Sequence, residues 1–88
     1  MGKITFSDEA WAEYVEWQSQ DKKTLKKINS LIKSIDREGA FKGEGKPERL
    51  KHREHEYSRR INAEDRLVYS IEDGKIEIKS CKGHYEDK

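Results

Sequence analysis

The chain of 88 residues has little cysteine, little proline and no long apolar segment. Its single cysteine, Cys81, excludes an intramolecular disulfide and fits a reducing compartment. No stretch approaches the roughly 20 apolar residues that span a bilayer, and the charged N-terminus lacks the apolar centre of a signal peptide. We therefore expect a cytoplasmic protein that does not associate with membranes.

Apolar residues are also scarce, at 32% of the chain against 42% charged residues. This ratio approaches that of disordered segments, but the apolar residues recur periodically and include two tryptophans. A chain of this length can bury only one modest core. We expect one folded domain, residues 1–88, without linkers.

The formal net charge of +1 hides a segregated charge distribution. Residues 1–21 contain one Lys and five acidic residues, residues 22–60 contain thirteen Lys and Arg and six acidic residues, and residues 61–88 contain five and seven. A basic central block indicates a site for a polyanion. A solvated lysine face on a long helix explains the charge equally well.

A short first strand, KITF, precedes two amphipathic helices. Ser7 can cap the first helix, because a serine hydroxyl accepts hydrogen bonds from the N–H groups at a helix start. The spacing of Trp11, Tyr14 and Val15 predicts the buried stripe of this helix.

The second helix is predicted to begin near Asp21 and to end at Gly39. Five apolar residues at helical spacing form its buried stripe: Leu25, Ile28, Leu31, Ile32 and Ile35. Four cations lie together on its other side: Lys22, Lys26, Lys33 and Arg37.

The rest of the chain alternates loop and strand signals. The segment GAFKGEGKPERLKH, with three of the six glycines and the only proline, is predicted to be a loop. Beyond it, EYSRRI, RLVYSIE and KIEIKSCK alternate as strands, and Asp73-Gly74 favours a tight hairpin between the last two. The predicted fold is α+β, with two N-terminal helices on one face of a twisted antiparallel sheet of four or five strands.

The hairpin turn predicts which strand residues face the helices. A two-residue turn pairs Ile71 with Ile76 and Tyr69 with Ile78 on the covered face. The opposite face then carries Arg66, Val68, Ser70, Glu77, Lys79 and Cys81. Arg60 joins Arg66 on this open face, since Ile61 and Leu67 belong to the covered one.

Two arginines on an open sheet face suit phosphate, because the guanidinium fork matches phosphate oxygens. The alternative is that they pair with Glu77 or Glu64.

These residues carry a resemblance to a known family. The segments EAWAEYVEWQSQDKKTLKKINSLIK, GKPERLKH, SRRI, RLVY and the C-x-x-HY ending are similar to the YoeB branch of the RelE superfamily over residues 3–85. Members of this branch are bacterial toxins of type II toxin–antitoxin modules that cleave messenger RNA on the ribosome. The resemblance implies a RelE-like, microbial-RNase-like fold and an endoribonuclease that needs no cofactor.

Cleavage of RNA by its own 2′-hydroxyl sets three chemical requirements. The enzyme needs a base for the hydroxyl, an acid for the departing 5′-oxygen and cations around the phosphate. Glu48 is a candidate base, and Arg66 can supply positive charge. His84 suits the acid, since the unperturbed histidine pKa of about 6.5 allows it to hold or release a proton near neutrality.

The resemblance implies the same catalytic set, Glu48, Arg66 and His84, and adds Tyr85, which would stack on or orient a base. It also implies that Lys51 and Arg60 contact substrate phosphates, and we add Lys46 from the same basic loop. The four cations of the second helix are candidate contacts to ribosomal RNA: Lys22, Lys26, Lys33 and Arg37.

The implied partners are messenger RNA, the ribosome and a YefM-like antitoxin with a partly disordered segment that folds over the basic face. A monomer and a homodimer both remain open. Two other functions remain open, a non-catalytic RNA or ribosome binder and a module that binds an acidic protein segment. Glu48 favours the enzyme, because a carboxylate opposes the binding of RNA.

Two features of the C-terminal region complicate the assignment. Strict alternation would place Arg66 on the face of Cys81 and turn His84 away, so we predict a bulge or twist at Gly83. The tail Glu86-Asp87-Lys88 puts two acids where an RNA backbone should pass.

The chain also contains two pairs of potential zinc ligands. His52 and His55 form one pair, and Cys81 and His84 form the other. Neither pair lies in a tight knuckle, so we expect no metal site.

Overall fold

The computed structural model describes residues 3–51 and 53–83. Two helices pack against one face of a five-stranded sheet with the order β1-β5-β4-β3-β2, which confirms the predicted α+β class. The elements are β1 Lys3–Phe6, α1 Asp8–Gln20, α2 Lys22–Glu38, β2 Glu48–Arg49, β3 Glu56–Arg60, β4 Arg66–Glu72 and β5 Lys75–Ser80. Within the described residues, neither helix has the length and apolarity needed to cross a membrane.

The helix boundaries follow the capping residues in the sequence. Ser7 Oγ accepts a hydrogen bond from Ala10 N at 3.1 Å, and Asp21 Oδ1 accepts one from Lys23 N at 3.0 Å. Gly39, with φ of 91°, ends α2 in the left-handed region that a glycine adopts without steric cost. The predicted starts of both helices and the predicted end of α2 are thus confirmed.

The predicted stripe of α1 is wrong for two of its three residues, since only Tyr14 packs against the core. Ala10 and Trp17 are the buried residues, whereas Trp11 and Val15 are 53% and 46% exposed. The small Ala10 lies against the core, and the Trp17 indole fills the core two turns later. Burial of Trp17 also satisfies its indole N–H, which donates to Cys81 O at 2.9 Å.

The core lies between α2 and the covered face of the sheet. From α2 it contains Ile28, Leu31, Ile32 and Ile35, with Leu25 partly buried at its edge. From β4 and β5 it contains Leu67, Tyr69, Ile76 and Ile78, and from the residues directly after β3 and β5 it contains Ile61 and Cys81. The apolar stripe predicted for the second helix is therefore confirmed.

The sheet register is as predicted for its central hairpin. Ile71 pairs with Ile76 and Tyr69 with Ile78. Asp73 and Gly74 both have positive φ, 51° and 75°, as the tightest hairpin turns require.

Two features of the sheet differ from the prediction. Strand β1 runs parallel to β5, so the sheet is mixed. No hairpin joins β1 to β5, and the sequence pattern therefore does not fix its direction. The segment predicted as a loop contains the short strand β2, whose Glu48 and Arg49 pair with Ser58 and Tyr57.

Candidate active site

The open face of the sheet brings together three of the predicted site residues. Glu48 pairs with Ser58 and Ser58 with Val68, while Arg60 pairs directly with Arg66. Residues opposite each other on neighbouring strands project from the same face, as do residues two apart on one strand. Glu48, Arg60 and Arg66 therefore share the face that the helices leave open.

Strand geometry sets the size of this arrangement. Glu48 and Arg66 are separated by two strand spacings and by two residues along the strands. With strand spacings of about 4.8 Å and rises of about 3.4 Å per residue, their Cα atoms are about 12 Å apart. Long carboxylate and guanidinium side chains can reach a shared phosphate group from this separation.

Arg66 is oriented by the loop between β3 and β4. Its Nη1 donates to Asn62 O at 2.7 Å, to Asp65 O at 3.1 Å and to Ala63 O at 3.4 Å. These carbonyls hold the Arg66 guanidinium at the start of β4. The predicted alternative was pairing of Arg60 and Arg66 with Glu77 or Glu64. Among the described residues no ion pair joins these arginines to either glutamate, and Glu77 pairs with Lys79 at 3.1 Å.

The chain leaves the sheet beside the backbone of Arg66. Gly83 O accepts a hydrogen bond from Arg66 N at 3.0 Å, and Gly83 N donates to Asp65 Oδ1 at 2.7 Å. Gly83 has φ of 86°, in the left-handed region that glycine favours. The predicted His84 and Tyr85 lie outside the described residues, as does the tail Glu86-Asp87-Lys88.

The irregularity that was predicted at Gly83 begins earlier in the strand. Tyr69 pairs with Ile78, but Val68 pairs with Ser80, so β5 gains one residue at this point. The extra residue shifts the alternation, and Cys81 faces the core rather than the open side where it was predicted.

Cys81 is a structural residue in this arrangement. Its thiol donates to Ala10 O at 3.7 Å, and its backbone N–H donates to Glu13 Oε1 at 2.7 Å. Burial raises the pKa of the thiol to about 12, with help from the charges of Glu13 and Asp65. A thiol held neutral in this way is a poor nucleophile. Burial also raises the pKa of Glu13.

The predicted phosphate ligands Lys46 and Lys51 are both exposed and flank the short strand of Glu48. Lys46 has φ of 53°, which forms the turn that leads into β2. A groove of about 580 Å³ lies beside this strand. Its lining contains three cations and one acid: Arg49, Leu50, Lys51, Arg53 and Glu54.

A second, smaller depression of about 320 Å³ continues along the open face. Its lining includes Val68 and Ser80, which are paired with each other and lie at the same level across the sheet as Glu48. Its rim is charged, with Lys79 at 3.9 Å from Glu56. The open face is therefore a shallow concave surface rather than a deep pocket.

The four cations of α2 are exposed, as their spacing predicted: Lys22, Lys26, Lys33 and Arg37. Their contacts with RNA stay a prediction.

A metal site has no support within residues 3–51 and 53–83, where no group of three or more potential ligands comes together. His52 and His84, one member of each predicted pair, lie outside the described residues.

Arg59 is the residue near the site that sequence reasoning missed. It is 0% exposed and lies next to Arg60 on β3, on the covered face. The signal was present in the sequence, because alternation along the strand puts Arg59 on the same side as Ile61. A buried guanidinium needs a partner for each of its five N–H groups.

Comparisons with known proteins identify the family of this chain. The family described as the YoeB-like toxin of bacterial type II toxin–antitoxin systems matches residues 6–85. The toxin YoeB of Synechocystis sp. is 52% identical over 85 residues, which cover 96% of this chain and 98% of the relative.

Two solved structures from Staphylococcus aureus are similar over nearly the whole chain. A YoeB dimer superposes with a TM-score of 0.89 at 57% identity, covering 94% of this chain and 97% of the other. A YoeB–YefM complex superposes with a TM-score of 0.87 at 55% identity, covering 97% and 99%. This chain therefore belongs to the YoeB-like toxins, the branch of the RelE superfamily found in bacterial type II toxin–antitoxin systems.

Proposed function

We propose that this chain is a ribosome-dependent endoribonuclease that cleaves messenger RNA in the decoding site and so inhibits translation in the cytoplasm. The observation that carries the proposal is the placement of one carboxylate and two arginines, Glu48, Arg60 and Arg66, on a single open sheet face. This set combines a candidate base with fixed positive charge for the phosphate.

The proposed reaction needs no metal ion. Glu48 removes the proton of the 2′-hydroxyl, whose oxygen attacks the adjacent phosphorus and expels the 5′-oxygen, leaving a 2′,3′-cyclic phosphate. His84 donates the proton to the departing oxygen, and Arg60 and Arg66 stabilise the charge that develops on the phosphorane. Tyr85 orients the neighbouring base by stacking.

Phosphate binding outside the reacting centre is assigned to Lys46 and Lys51. Both flank Glu48, and the groove beside β2 extends this positive surface. Such contacts hold the strand in register without reading its sequence.

Dependence on the ribosome follows from the shallow shape of the site. An open sheet face in a chain of 88 residues offers little enclosure with which to grip and splay an RNA strand. The ribosome already presents a codon at fixed geometry, and this positioning can supply much of the rate. The exposed cations of α2, among them Lys26 and Lys33, provide contacts to ribosomal RNA.

A non-catalytic RNA or ribosome binder is the alternative. It would use the same arginines but would gain nothing from Glu48. The test is messenger cleavage by the Glu48→Gln, Arg66→Ala and His84→Gln variants. Loss of cleavage with retained ribosome binding supports the enzyme, whereas wild-type protein that binds ribosomes without cutting the message supports the binder.

We further propose two protein partners. The first is a YefM-like antitoxin, in keeping with the S. aureus YoeB–YefM complex. An acidic, partly disordered antitoxin segment suits the basic open face and would mask Glu48 and Arg66.

The second partner is another copy of this chain, in keeping with the S. aureus YoeB dimer. Trp11, Val15 and Ile4 form an exposed apolar surface around the ring contacts of Phe6 and Tyr14. Such surfaces commonly mark interfaces. Sedimentation velocity of the Trp11→Glu variant tests this assignment, since the variant should sediment as a monomer.

A further inference from the structure

The buried guanidinium of Arg59 ties three parts of the fold together. Its Nε donates to Tyr69 Oη at 2.9 Å on β4, and its Nη1 donates to Ser34 Oγ at 3.0 Å on α2. The other three N–H groups donate to backbone carbonyls of the α2–β2 loop: Gly39 and Lys42 at 2.7 Å each and Glu44 at 2.9 Å. All five donors of the guanidinium are thereby used.

The α2–β2 loop is also packed closely against α2 and β3. A Cβ added at Gly45 would lie 2.7 Å from Leu31 Cδ2 and 3.2 Å from Arg60 O. Glu44 anchors the loop to α2 through Lys27 Nζ at 2.5 Å and Ser30 Oγ at 2.6 Å. These hydrogen bonds, that of Lys27 first, lower the pKa of Glu44.

This loop leads directly into the strand that presents Glu48. Strand β2 has only two residues and pairs with β3 alone, so its own contacts constrain Glu48 weakly. The loop supplies the missing constraint, because Gly45 O accepts a hydrogen bond from Arg60 N at 2.6 Å three residues before Glu48. Arg60 is the immediate neighbour of Arg59.

We propose that Arg59 is a positioning residue that fixes Glu48 relative to Arg60 and Arg66 by holding the α2–β2 loop against β3 and α2. The inference rests on the proposed function. The two adjacent arginines have different roles in this proposal. Arg60 faces the substrate phosphate, and Arg59 holds the backbone that leads to Glu48. A misplacement of a catalytic group by about 1 Å can cost about a hundredfold in rate.

The test compares Arg59→Lys with a variant of similar instability elsewhere. Lysine keeps the positive charge but cannot donate to three loop carbonyls from a fixed fork. Ile76→Ala is the matched control, since Ile76 is a core residue of β5 that pairs with Ile4 and Ile71 and lies away from the loop. Single-turnover cleavage of ribosome-bound message is measured at a temperature where every variant is folded.

We expect Arg59→Lys to lower the single-turnover rate constant at saturating ribosomes by tenfold or more, with ribosome affinity within about twofold of wild type. Ile76→Ala should retain the wild-type rate constant. Amide hydrogen exchange at Glu44 and Arg60, whose N–H groups bond to Ser34 Oγ and Gly45 O, should accelerate in Arg59→Lys alone.

A wild-type rate constant in Arg59→Lys, or an equal loss in Ile76→Ala, would overturn the inference. If Arg59→Lys does not fold, Glu44→Gln replaces it, because it removes the ion pair to Lys27 at a partly exposed position. The single-turnover rate constant of Glu44→Gln should fall. The amide hydrogen of Arg60, which is bonded to Gly45 O, should exchange faster. Failure of wild-type protein to cleave would refute the proposed function instead, while the exchange measurement still reports on the loop.

Discussion

Replacement of Arg59 by methionine is predicted to destabilise the fold strongly. The change leaves the carbonyls of Gly39, Lys42 and Glu44 without their donors. Replacing a whole buried ionic group by apolar side chains can be neutral, but these partners are backbone atoms and remain in place. A buried acceptor left without its donor costs about 1 to 3 kcal/mol, so the loss of three such donors is large against the roughly 5 to 15 kcal/mol of a typical domain.

The assay is urea denaturation followed by tryptophan fluorescence, in which the change on unfolding comes mainly from the buried Trp17, since Trp11 is already exposed. Arg60→Met is the matched control, since it makes the same substitution at the adjacent, exposed residue and should change stability by about 0.5 kcal/mol or less. The transition midpoint of Arg59→Met should fall with little change in slope. Equal midpoints for the two variants would refute the assigned role of the Arg59 network.

Three further predictions concern other parts of the chain. Burial raises the pKa of the Glu13 carboxyl, so the folded chain binds the carboxyl proton more tightly than the unfolded chain does. The stability of the wild type relative to Glu13→Gln should therefore fall as the pH rises above the ordinary carboxyl range. Urea midpoints of both proteins across this pH range measure the difference. The buried Cys81 thiol, with a pKa of about 12, should react with a disulfide reagent at pH 8 only as fast as the chain opens, and a rapid native reaction would contradict its burial. Lys26→Glu with Lys33→Glu should weaken cosedimentation with ribosomes more than Lys3→Glu with Lys75→Glu, an exposed control pair with the same charge change, and equal losses would refute a role for the α2 face.

The sheet register was predictable from the sequence, because a two-residue turn and period-two alternation leave one arrangement with an apolar face. Asp73-Gly74 fixed the pairs of β4 and β5, and the same alternation put Arg60 and Arg66 on the open side. The direction of β1 was not predictable, since its contact with β5 is distant in sequence and no turn constrains it.

The phase of α1 was mispredicted because two apolar stripes compete on that helix. Trp11 and Val15 form one, and Ala10 and Trp17 form the other. Periodicity favours the larger residues, but close packing against β5 favours the small Ala10. The stripe of Trp11 and Val15 is therefore left exposed.

The placement of the candidate residues was more predictable than their supports. Strand alternation puts Arg60 and Arg66 on one face. Arg59 and Asp65 act through contacts to loop carbonyls and to Gly83 N, which no local pattern encodes. The bulge opposite Val68 is likewise not encoded locally, and it accompanies a contact of Cys81 with Ala10, which is distant in sequence.

The most direct test of the account compares one RNA in two states. Purified protein is mixed with a message whose codon occupies the decoding site of a ribosome, or with the same RNA free in solution, and new 5′ ends are mapped by primer extension. We predict cleavage within the decoding-site codon about a hundredfold or more faster than in free RNA, and none by Glu48→Gln. Equal rates on free and ribosome-bound RNA, or wild-type cleavage by Glu48→Gln, would contradict the central claim.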